Sequence, residues 1–274
     1  MIAVESIFPA RCEWDRALDD VSKAPADAVR IRLVSKAKHI DKLPTFPRLK
    51  SLWCFDIAAP QLESICRCVS IESLYIDNVK TEDLTGFTRL PQLKVLGLER
   101  CSKVNSLADL ADLHSLEGLA ITHFKNVHDL APLSRLANLR SLAVAGSMWT
   151  TMRVESLEPL EGLTNLEFLH LTNIKPGDGT LNSLGSLAKL KKLDIANFYP
   201  TSEFAWLARQ LPSTECDWFK PYIEMRSFPC KKCGAMTMVM LSGKGATPIC
   251  MTCDKPKLEK HLREWNAESK SKER

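Results

Sequence analysis

Apolar positions along the chain fall into one pattern that recurs seven times. It reads apolar-x-x-apolar-x-apolar, at Leu49/Leu52/Cys54, Ile71/Leu74/Ile76, Leu93/Leu96/Leu98, Leu116/Leu119/Ile121, Leu139/Leu142/Val144, Leu166/Leu169/Leu171 and Leu190/Leu193/Ile195. From one middle residue to the next the steps are 22, 22, 23, 23, 27 and 24. The last two apolar positions of each triplet are two apart, the period of a strand, so they share one face while the residues around them share the other. Between strands the leucines lie three apart, as in SLADLADLHSL (106–116) and DLAPLSRLANL (129–139). That spacing suits short 3₁₀ or α turns laid on the same core. One such unit cannot bury its own apolar face, but stacked units bury a continuous one.

A unit of this length carrying L-x-x-L-x-L resembles the leucine-rich repeat family, over roughly residues 28–218, and most closely its short-repeat, bacterial internalin-like type. The resemblance implies an α/β fold: a solenoid with a curved parallel sheet and short 3₁₀ or α convex segments. Many members of that family carry Asn three residues after the last strand apolar. Here the position holds Ile57, Val79, Cys101, Phe124, Ser147, Ile174 and Phe198, so the corner is expected to be held by apolar packing.

Residues 1–27 precede the pattern. Trp14, Ala17, Leu18 and Val21 fall at helical spacing, which predicts a short amphipathic N-terminal cap helix. Ile31 and Leu33 read as a degenerate first strand, 21 residues ahead of Leu52. The repeats are assigned to 28–200. PQLESICRCVS (60–70) predicts a fuller helix in one convex segment, with one of Cys66 and Cys68 facing the core and the other solvent. The longest step places extra residues around GSMWTTMRVES (146–156), and an insertion of this kind usually forms a loop on a binding face. KPGDGTLN (175–182) reads as a second exposed loop. EFAWLARQLPSTECDWF (203–219) reads as a helix-then-strand cap within a C-terminal cap and connector, 201–225.

Residues 226–267 form a second unit. Cys230, Cys233, Cys250 and Cys253 give C-x2-C-x16-C-x2-C, with a hairpin expected between the pairs. The resemblance is to a zinc ribbon: four thiolates at this spacing suit one closed, structural Zn2+ site without an open catalytic position. A redox dithiol is the competing reading, but its usual βαβ context is missing. So small a unit needs the metal to fold. His261 reads as a surface histidine on a terminal helix (KPKLEKHLREWNAE), and 268–274 as a disordered tail.

Charge and composition refine this picture only slightly. The net charge of +4 divides into +6 from Arg226 onward (11 Lys/Arg, 5 Asp/Glu) and −2 before it (26 and 28). No segment has signal-peptide or membrane-span character. With buried thiols and a metal motif rather than a disulfide framework, the chain reads as cytoplasmic. No G-x-S-x-G, Walker-type or dinucleotide motif is present, so it reads as non-enzymatic, without a small-molecule substrate.

The concave face offers the candidate contacts. One outward column holds Trp53, Tyr75, Gly97, Ala120, Ala143, His170 and Asp194; the next holds Phe55, Asp77, Glu99, Thr122, Ala145, Thr172 and Ala196. Trp53, Phe55, Tyr75, Asp77, Glu99, His123 and His170, with Trp149 from the inserted loop, are the residues expected to meet a protein partner, across a centre of small residues. Two readings stand for the aromatics: an interface hot spot, or a patch covered by the N-terminal cap. Trp149 likewise reads either as a contact or as tucked onto the core. The principal expectation is a protein-interaction module of scaffold, effector or immunity type. The alternative is nucleic-acid binding through the basic ribbon, by Arg226, Lys231, Lys232, Lys244, Lys255, Lys257 and Lys260.

Overall fold

The computed structural model describes residues 17–271, with side chains described through Ala267. Nine strands form one parallel sheet in the order β1 (Leu18–Asp20), β2 (Arg30–Lys38), β3 (Ser51–Ile57), β4 (Ser73–Val79), β5 (Val95–Glu99), β6 (Gly118–Thr122), β7 (Ser141–Ala145), β9 (Phe168–Leu171) and β11 (Lys192–Ile195). The two strands left out of that order, β8 (Met152–Val154) and β10 (Ile174–Pro176), pair in a small parallel sheet of their own. Register is uniform: Leu52, Leu74, Leu96, Leu119, Leu142, Leu169 and Leu193 lie side by side. Ile31 joins the same row, so the degenerate first strand is real.

Return segments close each coil. Most are 3₁₀ turns: Ile40–Thr45, Thr85–Arg89, Ala108–Leu110, Ala131–Arg135, Glu158–Leu160 and Asn182–Ser186. Each drives at least one large apolar side chain into the core, in turn Leu43, Phe87, Leu110, Leu133, Leu160 and Leu184, all without exposed surface. The fuller helix expected at 60–70 is α1 (Ala59–Ile65), whose Gln61 Oε1 accepts from the Ala58 amide at 2.8 Å. Cys66 and Cys68 after it are both buried, because the chain turns back onto the core at once; neither faces solvent.

The strands end in a common turn. Asp56, Asn78, Arg100, His123 and Asn173 all adopt left-handed φ between 49° and 70°. The following residue then points inward, and Ile57, Val79, Cys101, Phe124 and Ile174 have no exposed surface. Apolar packing therefore replaces an asparagine ladder at five of the seven corners. Ser147 departs because the insertion loops out here, and Met152, 2 % exposed, takes the core position instead. Phe198, at the last corner, is 48 % exposed.

At the opposite ends of the strands runs a ladder that the apolar pattern does not reveal. Its rungs are Lys50, Glu72, Lys94, Glu117, Arg140, Glu167, Lys191 and Glu215, one per coil, alternating in sign. The backbone amide of each rung from Glu72 onward donates to the carbonyl of the rung before it at 2.8 Å. Lys50 Nζ meets Glu72 Oε1 at 2.7 Å, and Glu167 accepts from both Arg140 and Lys191. Slipping one coil against its neighbour by a whole repeat would set like charges on adjacent rungs, which is unfavourable.

The N-terminal end departs from the expected cap helix, while the C-terminal end follows the expected helix-then-strand order. Leu18–Asp20 is a strand and Val21–Lys23 a 3₁₀ turn, so the cap helix expected over Trp14–Val21 is not formed in its described part; Trp14 lies outside the described residues. Pairing β1 to β2 covers the open sheet edge more directly than a helix would. At the other end α2 (Thr201–Gln210) is followed by a single bridge, Lys192 to Glu215, which extends the ladder one rung beyond β11.

Candidate functional site

The terminal unit is built from β12 (Tyr222–Glu224), β13 (Met238–Leu241) and β14 (Pro248–Cys250), an antiparallel sheet, with α3 (Lys255–Ser271) beside it. The expected hairpin is β13–β14, and its Gly243 and Gly245 both take positive φ in the turn. Its core is small: Val239, Ile249 and Leu258. The helix runs on through residues 268–271, where a disordered tail was expected.

Turns before and after β13–β14 carry the four cysteines to one point. Their Sγ atoms lie within 4.8 Å of one another, with Cys230 to Cys253 at 3.9 Å and Cys233 to Cys250 at 3.7 Å. A tetrahedron of sulfurs ~2.3 Å from one ion has edges of about 3.8 Å. A disulfide would need ~2.05 Å. The set therefore fits one four-coordinate, thiophilic ion, and no disulfide forms among the described residues. Hydrogen bonds favour the anionic sulfurs: the Lys232 amide lies 3.4 Å from Cys230 Sγ, the Cys253 amide 3.5 Å from Cys250 Sγ, and Thr237 Oγ1 3.3 Å from Cys250 Sγ. The Thr237 contact, then the Cys253 amide, hold the Cys250 thiol down to about 6. The neighbouring Cys233 sulfur, with burial next, pushes Cys253 up to about 12. Four thiolates this close need a cation between them. His261 is not a surface residue: it is 7 % exposed, and its Nε2 sits 2.7 Å from the Pro221 carbonyl.

This unit docks on the last coil. Asn197 donates to the Leu241 carbonyl at 3.0 Å and accepts from the Gly243 amide at 2.6 Å. Thr201 donates to the Ser242 carbonyl, and the Lys244 amide to that of Tyr199. A Cβ on Gly243 would lie 2.1 Å from Thr201 Oγ1, at φ 113°, so this contact requires glycine.

On the concave face the expected columns exist in register: Trp53, Tyr75, Gly97, Ala120, Ala143, His170 and Asp194, beside Phe55, Asp77, Glu99, Thr122 and Ala145. Trp53 and Tyr75 are brought together, but as buried rather than open side chains, at 9 % and 5 % exposure. The Arg32 guanidinium stacks 4.4 Å from the Trp53 ring centroid, and the Tyr75 hydroxyl donates to Glu99 at 2.5 Å. Asp77 is buried and gripped by the Arg100 fork, Nε at 2.6 Å. Burial pushes its carboxyl up and Arg100 pulls it back. Ala120 and Ala143, at the centre of the same columns, are also closed to solvent. Phe55, Glu99 and His123 remain partly open, with His123 Nδ1 3.7 Å from Glu99. His170 joins Asp194 at 2.8 Å and Thr172 at 2.7 Å.

Trp149 stands apart from all of these. It is 90 % exposed and its neighbour Met148 79 %, so neither is tucked onto the core. The loop that carries them is nonetheless tightly built. Ser147 Oγ accepts from the Trp149 and Thr150 amides, at 3.1 and 2.7 Å, and the Ser147 amide donates to the Thr150 carbonyl at 2.8 Å. Asn173 of the next coil donates to the Ser147 carbonyl, and the Met152 amide to that of Asn173. The returning strand passes so close that a Cβ on Gly146 would sit 2.4 Å from the carbonyl oxygens of Thr150 and Asn173. A cavity of about 140 Å³ opens beside the loop, lined by His123, Lys125, Thr150 and Met152 among others.

No protein-family model matches the chain, and no curated protein is significantly similar to it. Solved structures are similar in part. Internalin C2 of Listeria monocytogenes is 23 % identical over 56 % of this chain and 66 % of its own, with a TM-score of 0.47. The internalin InlF of the same organism is 17 % identical over 67 % and 59 %, TM-score 0.47. The plant peptide hormone receptor RGFR1, in complex with RGF2, is 14 % identical over 70 % and 36 %, TM-score 0.42. The chain thus spans less than two thirds of the length of each. The assignment of fold rests on the chain's own strand registers, apolar rows and return turns: it is a leucine-rich repeat solenoid carrying a four-cysteine appendage.

Proposed function

We propose that the chain is a non-enzymatic protein-interaction module whose main contact is the inserted loop at 146–151, and that its four cysteines hold one structural Zn2+. The observation that carries the first part is Trp149: a large aromatic side chain held in solvent by a loop braced from both sides. Exposed aromatic anchors on rigid frames are where binding energy concentrates. Phe55, Glu99, His123 and His170 are secondary contacts on the concave rim. Burial of Trp53, Tyr75 and Asp77 favours a structural role for these three. His170 is held between Asp194 and Thr172, which fixes its ring on the concave rim.

The metal reading draws support from the sulfur separations and the thiolate-directed hydrogen bonds. Among soft ions zinc is the usual occupant of a closed Cys₄ set. Cytoplasmic placement accords with such thiols; among the described residues no helix is long and apolar enough to cross a membrane. The test of the first part is affinity for a co-purified partner. Trp149→Ala is expected to weaken it by roughly 2 kcal/mol or more. Unchanged affinity sends the contact elsewhere.

A second reading has its own observation. Phe228 and Met236 are 59 % and 56 % exposed on the same unit as the exposed Lys231 and Lys232, the latter paired with Asp254. If this unit binds nucleic acid, filter binding will show a steep salt slope.

A further inference from the structure

The corner after each strand carries a cation more often than the fold requires. Lys125 follows the buried Phe124, Arg153 follows Met152, Lys175 follows Ile174, and Lys103 lies two residues after Cys101. These four occupy consecutive coils along the flank where Trp149 emerges, and all are exposed. Arg153 and Lys175 are direct register partners in β8–β10, so two like charges stand about one strand spacing, ~4.8 Å, apart. The coils themselves are tied together by the Asn126 bond to the Ser102 carbonyl and by His128 Nδ1 at 2.7 Å from the Arg153 carbonyl. Lys125 lines the cavity beside the Trp149 loop.

None of the four has a carboxylate within ion-pair reach among the described residues. Of the acidic side chains nearest the row, Asp129 and Asp178 accept from the Ala131 and Thr180 amides of their own turns, and Glu155, two residues after Arg153, forms no ion pair with it. Like charges placed directly opposite weaken a sheet, and pairing them with acids would cost nothing sterically at an exposed edge. Elsewhere the same chain does alternate its charges, rung by rung, from Lys50 to Glu215. The unbalanced row therefore marks a demand from outside the fold.

Resting on the reading of the chain as an interaction module, we infer that its partner presents an acidic, extended protein segment, whose carboxylates lie along Lys103, Lys125, Arg153 and Lys175 while an apolar side chain packs on Trp149 and Met148. Four coils span about 14 Å, the reach of roughly four or five extended residues. Charge complementarity of this kind sets partner choice and association rate, and the exposed aromatic supplies the anchor.

The test uses the full chain and a fluorescein-labelled heptapeptide of Asp and Glu with one central Phe, followed by anisotropy and by tryptophan emission. The acidic peptide is expected to bind, to shift Trp149 emission to the blue, and to weaken sharply as salt rises from about 0.05 to 0.5 M. The triple variant Lys125→Glu, Arg153→Glu, Lys175→Glu is expected to lose at least about tenfold in affinity, as is Trp149→Ala. Both variants change only exposed side chains, and circular dichroism with an unchanged melting point verifies their folding. No binding up to about 1 mM peptide, or equal binding by the triple variant, overturns the inference. Preferential binding of a single-stranded oligonucleotide at the same residues also overturns it, in favour of a phosphate ligand. A partner protein retained by the triple variant but lost by Trp149→Ala would overturn the acidic segment and leave the interaction module standing.

Discussion

Glu167→Gln isolates the charge ladder. Glu167 is the most enclosed rung, its side chain 10 % exposed, and it accepts from Arg140 and Lys191, whose side chains are 42 % and 53 % exposed. A hydrogen bond to a charged group contributes about 1.5–3 kcal/mol when buried. A fully exposed ion pair contributes under about 1 kcal/mol. One enclosed and two half-open partners fall between these, and the freed cations can turn to water, so the glutamine variant is expected to lose roughly 1–2 kcal/mol. Glu167→Lys places three cations on adjacent rungs and should lose about 1 kcal/mol more. The assay is the urea midpoint and slope, since repeat arrays do not always unfold in one step. A glutamine variant within about 0.3 kcal/mol of the parent would refute the ladder's contribution. The double swap Arg140→Glu with Glu167→Arg separates a ladder from an isolated pair. It restores that pair but sets the new carboxylate beside Glu117 and the new guanidinium beside Lys191. A ladder predicts that the swap stays below the parent, and an isolated pair predicts recovery.

Four further outcomes follow from the same structure. Cys250→Ser should abolish tight zinc retention, because three sulfurs and a hydroxyl replace four thiolates, and should unfasten the ribbon from Asn197 and Thr201; mass spectrometry of the metal and hydrogen exchange over 222–254 read both. Gly243→Ala should detach the ribbon while leaving its metal in place, since the added carbon strikes Thr201 rather than the sulfurs. Gly146→Ala should cost about 2–4 kcal/mol and disorder the Trp149 loop, visible as a change in thermal midpoint and in loop proteolysis. With acid the solenoid should weaken: Lys191 first, then Arg140, hold Glu167 below its usual range, and Lys50 does the same for Glu72. A carboxyl lowered by folding stabilises above its unfolded value, about 4.3, and that stability is lost as pH falls through the folded value. Melting points flat down to pH 3 would contradict this.

The apolar pattern made the solenoid legible because it is local and repeated: each triplet states which side of its strand is core, and each coil packs only on its neighbours. The register of eight of the nine strands follows from it, down to Ile31 against Leu52. The four sulfurs were legible for the same reason, two short turns at metal spacing. What periodicity could not show was which outward residues remain outward. Trp53 and Tyr75 have the identities of an interface, yet Arg32 and Glu99, from neighbouring coils, engage them. The sign alternation from Lys50 to Glu215 was readable at a fixed offset from each triplet, but only a search by charge rather than by hydrophobicity finds it. The end strand β1 escaped because a three-residue strand has no period of its own; its identity comes from the open edge of β2. The docking of the ribbon depends on Asn197 and Thr201 meeting Gly243, more than forty positions further on, with no motif to link them.

The loop's role is tested most directly by replacing one residue at a time with a photoreactive benzoylphenylalanine, at Trp149 and separately at Phe228, in the native host. The account predicts one discrete protein adduct from position 149, lost on the Lys125, Arg153 and Lys175 charge-reversal background, and none from position 228. Adducts from 228 with none from 149 would place the contact on the ribbon and contradict it.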